Sequence, residues 1–583
     1  MTSVLDVHGR TALRSPGHRP ASPAADLVVS TAPDSDGAPL ATTRPPPLVV
    51  DLLHAEPRLS VDAPRLMAAL DYGFAGGGCR ETLDSALDDV SPSRSGWRRE
   101  HFADDLYLEE LVRTCMPVRI DRWEPTLNRR FLVRVLSQPP TAMATVRFRR
   151  AVLAELVERS ALRAHFGALY RSLCDLLAQF EFYPCASRYE ASRRRVETLR
   201  RVRDTVELMQ AHFSDVDSGL RRIGRAARAV QDEPGYQRLL ELLELDAGMA
   251  RVEVAVELGA DGRVRSFELL RATERRHNRF HVGPLGRWLR KLVLWWRGYR
   301  LSDQELVERW LDAVFGGICH LLPALVELKS HMELYLAALA LRDECASRGL
   351  PVCFPELREE GPLEVRGLFN PLLFAQSITP TPCDLRGVGR LSTTLVTGPN
   401  SGGKTRLLQA LGLLQALGQG GLCVPAAEAR LRPVPGLFAS LRDRASVDQP
   451  EGHLGTELLR IRRLFEAAPA GSLVLLDELC SGTNPSEAEQ IIVMVLELLG
   501  ELSAEAYVTT HFLDLAARLE RGGGDRGLRF LQAELDGERN PTFAFVDGVA
   551  ESSLAAETAA RLGVTRERLD ELLRRGATAP SER

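Results

Sequence analysis

One stretch of this chain carries the residue types that phosphate chemistry needs, at the spacing it needs. Val396-Thr397-Gly398-Pro399-Asn400-Ser401-Gly402-Gly403-Lys404-Thr405 fits the pattern G-x-x-x-x-G-K-[ST]. Glycines at 398, 402 and 403 let the backbone turn tightly and bring its N–H groups onto phosphate oxygens, with Pro399, Asn400 and Ser401 completing the loop. A helix that follows points its positive end at the same anion. Lys404 adds a point charge for the outer phosphates, and the Thr405 hydroxyl is placed to hold Mg2+. Chance is a poor explanation, because the basic residues of this chain are nearly all arginine. Lys291, Lys329 and Lys404 are its only lysines, and one of them falls where the pattern demands it.

A second stretch offers what such a loop lacks. Ser472-Leu473-Val474-Leu475-Leu476 is a short apolar run of the kind that forms a buried parallel strand, and it ends in Asp477-Glu478. Asp477 can share the Mg2+ shell with Thr405, and Glu478 can orient or deprotonate an attacking water. A strand ending in two acids is common by itself; downstream of a phosphate loop it is specific. A third apolar run, Ala506-Tyr507-Val508-Thr509-Thr510, ends in His511.

The elements that must position these residues can be read from pattern. Leu391 to Val396 reads as the strand before the loop and Leu407 to Leu417 as the helix after it. With 583 residues the chain has room for about three or four domains. Hydrophobic content of 45% and charged content of 26% are those of a soluble globular protein. A net charge of −4 means that any basic surface must be local. Ten cysteines without a C-x-x-C pair argue against a zinc site and fit a reducing cytoplasm. There is no secretory signal, and no apolar run approaches the ~20 residues of a membrane span; Leu292 to Trp296 is the nearest. We therefore expect a cytoplasmic protein without a membrane partner.

Taken in order, residues 1–48 are rich in Pro, Ala, Ser and Thr and read as a disordered tail. Residues 49–125 show helical spacing, as in Leu106, Leu108, Leu111 and Val112. From Thr126 a helix runs to the Pro139-Pro140 break, and another from Val146 to Leu162. Residues 186–245 are charged and helical, either long levers or simply a solvated face. Val252, Val254, Val256 and Leu258 alternate as a strand, Gly259 to Gly262 turn, and Val264 and Phe267 sit in the return strand. A basic stretch follows from Arg263 to Arg300, interleaved with Phe280, His281, Trp288, Trp295, Trp296 and Tyr299. It suits a nucleic-acid backbone, and equally a core of tryptophans under a solvated arginine face. Helices resume over 302–349, with Met332 to Leu341 the clearest.

The order of these signals resembles the DNA mismatch repair MutS family. Leu479-Cys480-Ser481-Gly482-Thr483-Asn484, after the paired acids, is similar to the family's D-E-[IL]-x-x-G-T-[NS] segment, and Thr509-Thr510-His511 to its A-T-H strand end. Gly420 to Ala426 resembles its Y-V-P-A strand, and Leu363 to Leu373 its H-P-x-L approach, with Asn370 for the histidine. Val546 to Ser553, then helices over Leu554–Leu562 and Arg566–Arg574, resemble its last, subunit-packing segment. The resemblance implies a helical core and lever over 126–360 with a small β insertion, and an α/β P-loop ATPase domain of ABC type over 361–583. It implies ATP and Mg2+ as ligands, Lys404, Glu478 and His511 as catalytic residues, and His511 as sensor of the terminal phosphate. It implies a homodimer that clamps double-stranded DNA, mismatched, branched or distorted, in repair or recombination, with downstream repair proteins as possible partners.

This chain also departs from the family's pattern. The loop reads Gly403-Lys404-Thr405-Arg406 where the family has G-K-S-T. The serine of the S-T-F-x-x-E signature, which reaches ATP on the opposite subunit, falls on Gly452, beside His453 and Leu454. The purine-stacking aromatic falls on Ile378. No mismatch-reading domain or G-x-F-Y-E wedge precedes the core, Phe180 to Tyr183 being better read as core, and no nuclease segment follows. A nucleotide-gated structural or signalling protein that no longer binds DNA is the alternative, separated by salt-sensitive DNA binding. A transporter ATPase would need a membrane span and an L-S-G-G-Q signature.

Overall fold

A computed structural model of the chain describes residues 48–88, 95–181, 188–248, 251–258, 264–273, 303–387, 392–441, 452–480, 484–522, 527–552 and 563–577. The proline-rich start, the turn expected over 259–262, the aromatic stretch from 274 to 302, residues 481–483 and the helix expected over 554–562 lie outside these residues.

The amino-terminal two-thirds is helical. After an extended segment come α1 (Ala63–Phe74) and α2 (Arg80–Asp88). Asp62 caps α1 by accepting the Arg65 N–H at 3.1 Å. The helical spacing around Leu106 to Val112 is realised only as short turns, residues 108–110 and 111–115, and residues 49–62 contain no helix. Helix α3 (Arg129–Ser137) starts three residues later than its sequence suggests, because Asn128 accepts the Phe131 N–H and caps it there. It stops before Pro139-Pro140 as expected. The next expected helix is two, α4 (Met143–Glu158) and α5 (Ser160–Ala178), broken where Arg159 leaves helical geometry. Phe180 is fully buried but lies just past the end of α5.

Then come α6 (Arg188–Phe213), α7 (Arg221–Gln231), α8 (Pro234–Gly248), the antiparallel hairpin β1 (Arg251–Leu258) and β2 (Val264–Thr273), and α9 (Asp303–Ile318). Arginines of α6 are ion-paired on their own helix, Arg200 and Arg201 with Glu197 and Arg203 with Asp204. Helix α10 (Leu322–Ser347) has no polar face, because almost every side chain up to Leu341 is buried. The stretch Glu308–Ser347 is long and apolar enough to cross a membrane by length and composition, contrary to the sequence expectation. Its most apolar window is 72% buried inside the molecule, as a central core helix must be.

The α/β part holds two sheets. β3 (Glu356–Leu357), β7 (Glu428–Leu431), β4 (Glu364–Leu368) and β5 (Cys383–Arg386) form the smaller, in that spatial order. The larger has the order β12-β11-β6-β10-β9-β8, with β6 (Thr393–Thr397), β8 (Leu437–Ser440), β9 (Leu473–Leu476), β10 (Glu505–Thr509), β11 (Leu528–Leu535) and β12 (Pro541–Asp547). All neighbours are parallel except β11 and β12. Gly420 to Ala426 is not a strand; its only ladder contact is a bridge between Val424 and Cys353.

Alternation sorts the strand residues between two faces. Leu395, Val474, Leu476 and Val508 pack with α12 (Gly452–Ala467), α13 (Pro485–Glu501) and α14 (Leu513–Arg521). Val396, Leu473, Leu475 and Tyr507 pack with α11 (Lys404–Gln419) in a core continuous with the helical part. A last helix, α15 (Arg566–Ala577), follows.

A buried polar cluster joins the extended start to this core. Asp51 accepts from Leu53 N–H at 2.7 Å and contacts His54 Nδ1 at 2.7 Å. His331 Nδ1 accepts the Leu52 N–H at 3.3 Å, and Glu327 accepts the Ser60 N–H at 2.9 Å. Arg149, wholly buried, donates to Leu53 O at 2.8 Å and to Gly420 O, just past the end of α11, at 3.5 Å.

Candidate functional site

The glycine-rich loop leaves the carboxyl end of β6 and enters α11, with Gly403 as its cap in left-handed geometry, φ 83°. Gly398 has φ 132°, a backbone that only glycine adopts freely. Close packing also demands glycine here. A Cβ at Gly398 would come within 2.8 Å of the Ala533 Cβ on β11, and one at Gly402 within 2.9 Å. The Gly402 N–H bonds Pro399 O at 2.9 Å, which closes the turn and leaves Asn400 and Ser401 exposed.

Lys404 is the first residue of α11, and its side chain is 3% exposed. Its ammonium donates to Gly398 O at 2.9 Å and Pro399 O at 3.1 Å, and stands 3.6 Å from Glu478 Oε1. Burial pulls its pKa down, with the Glu478 and Asp477 charges acting the other way. The Thr405 hydroxyl donates to Asp477 Oδ2 at 2.6 Å. Burial pushes the Asp477 carboxyl up, opposed by hydrogen bonds from Thr405 and Thr509.

The structure therefore brings Lys404, Thr405, Asp477 and Glu478 to one point. Sheet order explains it: β10 lies between the loop strand β6 and the acid strand β9, so all their carboxyl ends open on the same edge. His511 belongs to this edge too. Thr510 N–H bonds Val396 O at 3.0 Å, and half-buried His511 follows, its ring 4.1 Å from that of Phe512. Among the described residues no group of three or more His, Cys, Asp or Glu side chains is gathered as a metal site. The donors present, one hydroxyl and the Asp477 carboxylate oxygens, are hard oxygen ligands that fit Mg2+ completed by phosphate and water.

Three residues at this edge escape the sequence patterns. Thr509 bonds both acids, donating to Asp477 Oδ1 at 2.5 Å and accepting the Glu478 N–H at 2.9 Å. Ala533 sets the clearance of the loop. Phe543, on β12, places its Cδ1 3.3 Å from where a Gly403 Cβ would stand. Phe543 and Ile378 are each 46% exposed. The only signal for Thr509 is its place two residues before His511; nothing in the sequence ties Ala533 or Phe543 to the loop. Asn370 caps the helical turn Pro371–Gln376 and donates to Arg406 O and Gln409 Oε1, both on α11, at 3.1 Å each. Gly452 opens α12, from which Glu457 accepts the Cys480 N–H at 2.8 Å.

Residues 394–564 match the family model described as MutS domain V. The protein named Endonuclease MutS2 from Thermomicrobium roseum is 33% identical over 301 residues, 48% of this chain and 37% of that protein. Its namesake from Halothermothrix orenii is 33% identical over 212 residues, 36% of this chain and 26% of that protein. The one from Agathobacter rectalis is 29% identical over 269 residues, 45% and 33% of the two chains. The matched region is thus about a third of the length of these curated relatives. The segment that matches MutS domain V contains the loop helix, the acid pair and His511, and relatives of one name from three organisms support a MutS-family protein.

Proposed function

We propose that the chain is an ATP hydrolase of the MutS type, with an ATPase domain of ABC type, that couples hydrolysis to clamping on mismatched, branched or distorted DNA in repair or recombination. The observation that carries the reading is the meeting of Lys404, Thr405, Asp477 and Glu478 at one sheet edge. The loop amides from Gly398 to Gly403, with the amino end of α11, bind the phosphates. Lys404 moves from its loop carbonyls to the outer phosphates. Thr405 and Asp477 would hold Mg2+, whose positive charge would be supplied to the phosphate oxygens. Glu478 orients and deprotonates the attacking water, and His511 senses the terminal phosphate. Phe543 and Ile378, exposed near and ahead of the loop, offer apolar surface to the base.

The working unit in this reading is a homodimer in which one protomer covers the ATP of its partner. Val564, Leu569 and Leu572 support it, since all stand exposed at the carboxyl-terminal helix. ATP would then hold the dimer closed, and hydrolysis release it. Downstream repair proteins and a cytoplasmic location belong to the same proposal.

The test is steady-state hydrolysis by the full chain, beside Lys404→Ala and Glu478→Gln, with binding to homoduplex, mismatched and branched DNA at rising salt. The reading expects hydrolysis to collapse in both variants and DNA affinity to fall steeply with salt. Glu478→Gln turning over at the wild-type rate would reject the catalytic assignment. Hydrolysis without salt-sensitive DNA binding would favour a nucleotide-gated structural or signalling protein.

A further inference from the structure

Strand β10 ends on a side chain that belongs to neither the phosphate-binding pattern nor the acid pair. Thr509 is fully buried, and its hydroxyl serves two partners. It donates to Asp477 Oδ1 at 2.5 Å and accepts the Glu478 N–H at 2.9 Å. A hydroxyl has one proton to give, so with that proton on Asp477 its lone pair is left for Glu478. One group thereby holds both acids, the first by its carboxylate and the second by its backbone.

Each bond has a geometric consequence. Glu478 has φ 47°, a left-handed conformation that non-glycine residues adopt only when their surroundings enforce it. The bond from its N–H to Thr509 is such an enforcement. On Asp477, Thr509 occupies Oδ1 and leaves Oδ2 to Thr405 at 2.6 Å. The clamp is stiff: threonine is restricted at χ1, and β10 is paired on both sides, Thr509 opposite Val396 and Val508 opposite Leu476.

We infer that Thr509 is a positioning residue for the acid pair, turning the Asp477 carboxylate toward the metal and fixing the backbone turn that aims Glu478. The inference rests on the ATPase reading above. Its chemistry needs a hydroxyl, so serine suffices, whereas valine, with the same shape, removes the bond to Asp477 Oδ1 and the one from the Glu478 N–H.

The experiment compares the full chain with Thr509→Val and Thr509→Ser. It reads ATP hydrolysis against Mg2+ concentration, and binding of a fluorescent ADP analogue in Mg2+ and in EDTA. T509V is expected to lower kcat and raise the Mg2+ requirement by about 10–100-fold each, as loss of a group that orients a metal ligand does. Its affinity for the analogue in EDTA stays that of the wild type, and T509S stays close to the wild type throughout. T509V with wild-type kcat and Mg2+ dependence overturns the inference. So does T509S impaired as deeply as T509V, which would assign Thr509 to packing. A wild-type chain that neither hydrolyses ATP nor binds the analogue sinks the ATPase reading, and the inference with it; the wild-type arm thus separates the two failures. Should T509V not fold, Thr509→Cys, a weaker donor of similar volume, takes its place.

Discussion

The Thr405 hydroxyl and Asp477 Oδ2, 72 residues apart in sequence, share a hydrogen bond of 2.6 Å. It joins the first turn of α11 to the end of β9. Asp477→Asn keeps the shape of the carboxylate and removes its charge. We expect hydrolysis to fall by about 100-fold or more, since preorganised charge at a phosphoryl site is worth that much. Affinity for a nucleotide analogue in EDTA should change little. Equal losses with and without Mg2+ would speak against Asp477 as a metal ligand.

Gly398→Ala should damage the loop without touching any charged group. Its φ of 132° lies outside the range of L-residues, and the new methyl would meet the Ala533 Cβ at 2.8 Å. A destabilisation of about 1–3 kcal/mol is expected from the backbone alone. Thermal unfolding and analogue binding measured together check it: both should fall. Unchanged binding would mean that the loop tolerates the shift.

How far the sequence could be read is uneven, for a physical reason. Strand, loop and helix around Lys404 are contiguous, so their glycine spacing and periodicity appear in one line of text. Asp477-Glu478 and His511 were legible because each ends an apolar run. Thr509 was not, since a threonine in a strand is indistinguishable from one that merely favours extended backbone. The bond between Leu52 and His331 spans 279 residues, and nothing local announces it. Helix ends depended on single caps such as Asn128. The helical pattern over 302–349 covers α10, but spacing alone does not show how completely the core encloses it.

The buried cluster around Asp51 gives the fold two opposed pH dependences. Burial lowers the His331 pKa to about 4, with the Asp51 charge opposing. The unfolded chain then binds a proton near pH 6.5 that the folded one refuses, so stability falls as pH drops from 6.5 toward 4. Burial raises the Glu327 pKa to about 7, with the Ser60 N–H bond opposing. Here the folded chain keeps a proton that the unfolded one loses near pH 4.5, so stability falls as pH rises from 4.5 through 7. Glu327→Gln removes the second effect only. Relative to the wild type it should gain stability between pH 5 and 8, by up to roughly 3 kcal/mol. Urea midpoints at both pH values measure this, and parallel midpoints would refute it.

Leu569→Asp with Leu572→Asp tests the exposed leucines of the last helix, 44% and 50% exposed. If they pack a second copy, sedimentation should show the variant as monomer at concentrations where the wild type is a dimer. Hydrolysis should fall with it, as a site shared between protomers requires. A variant that sediments like the wild type would move the interface elsewhere.

Arg149 places a mechanical constraint on all of this. Its guanidinium grips Leu53 O with one nitrogen and Gly420 O with another, inside a site with no access to solvent. Water cannot step in to replace either partner. A piston-like shift of α11 must therefore drag the polypeptide near residue 53 along with it, or strand a cation in oil. The far end of the loop helix and the extended segment at Leu53 are geared together.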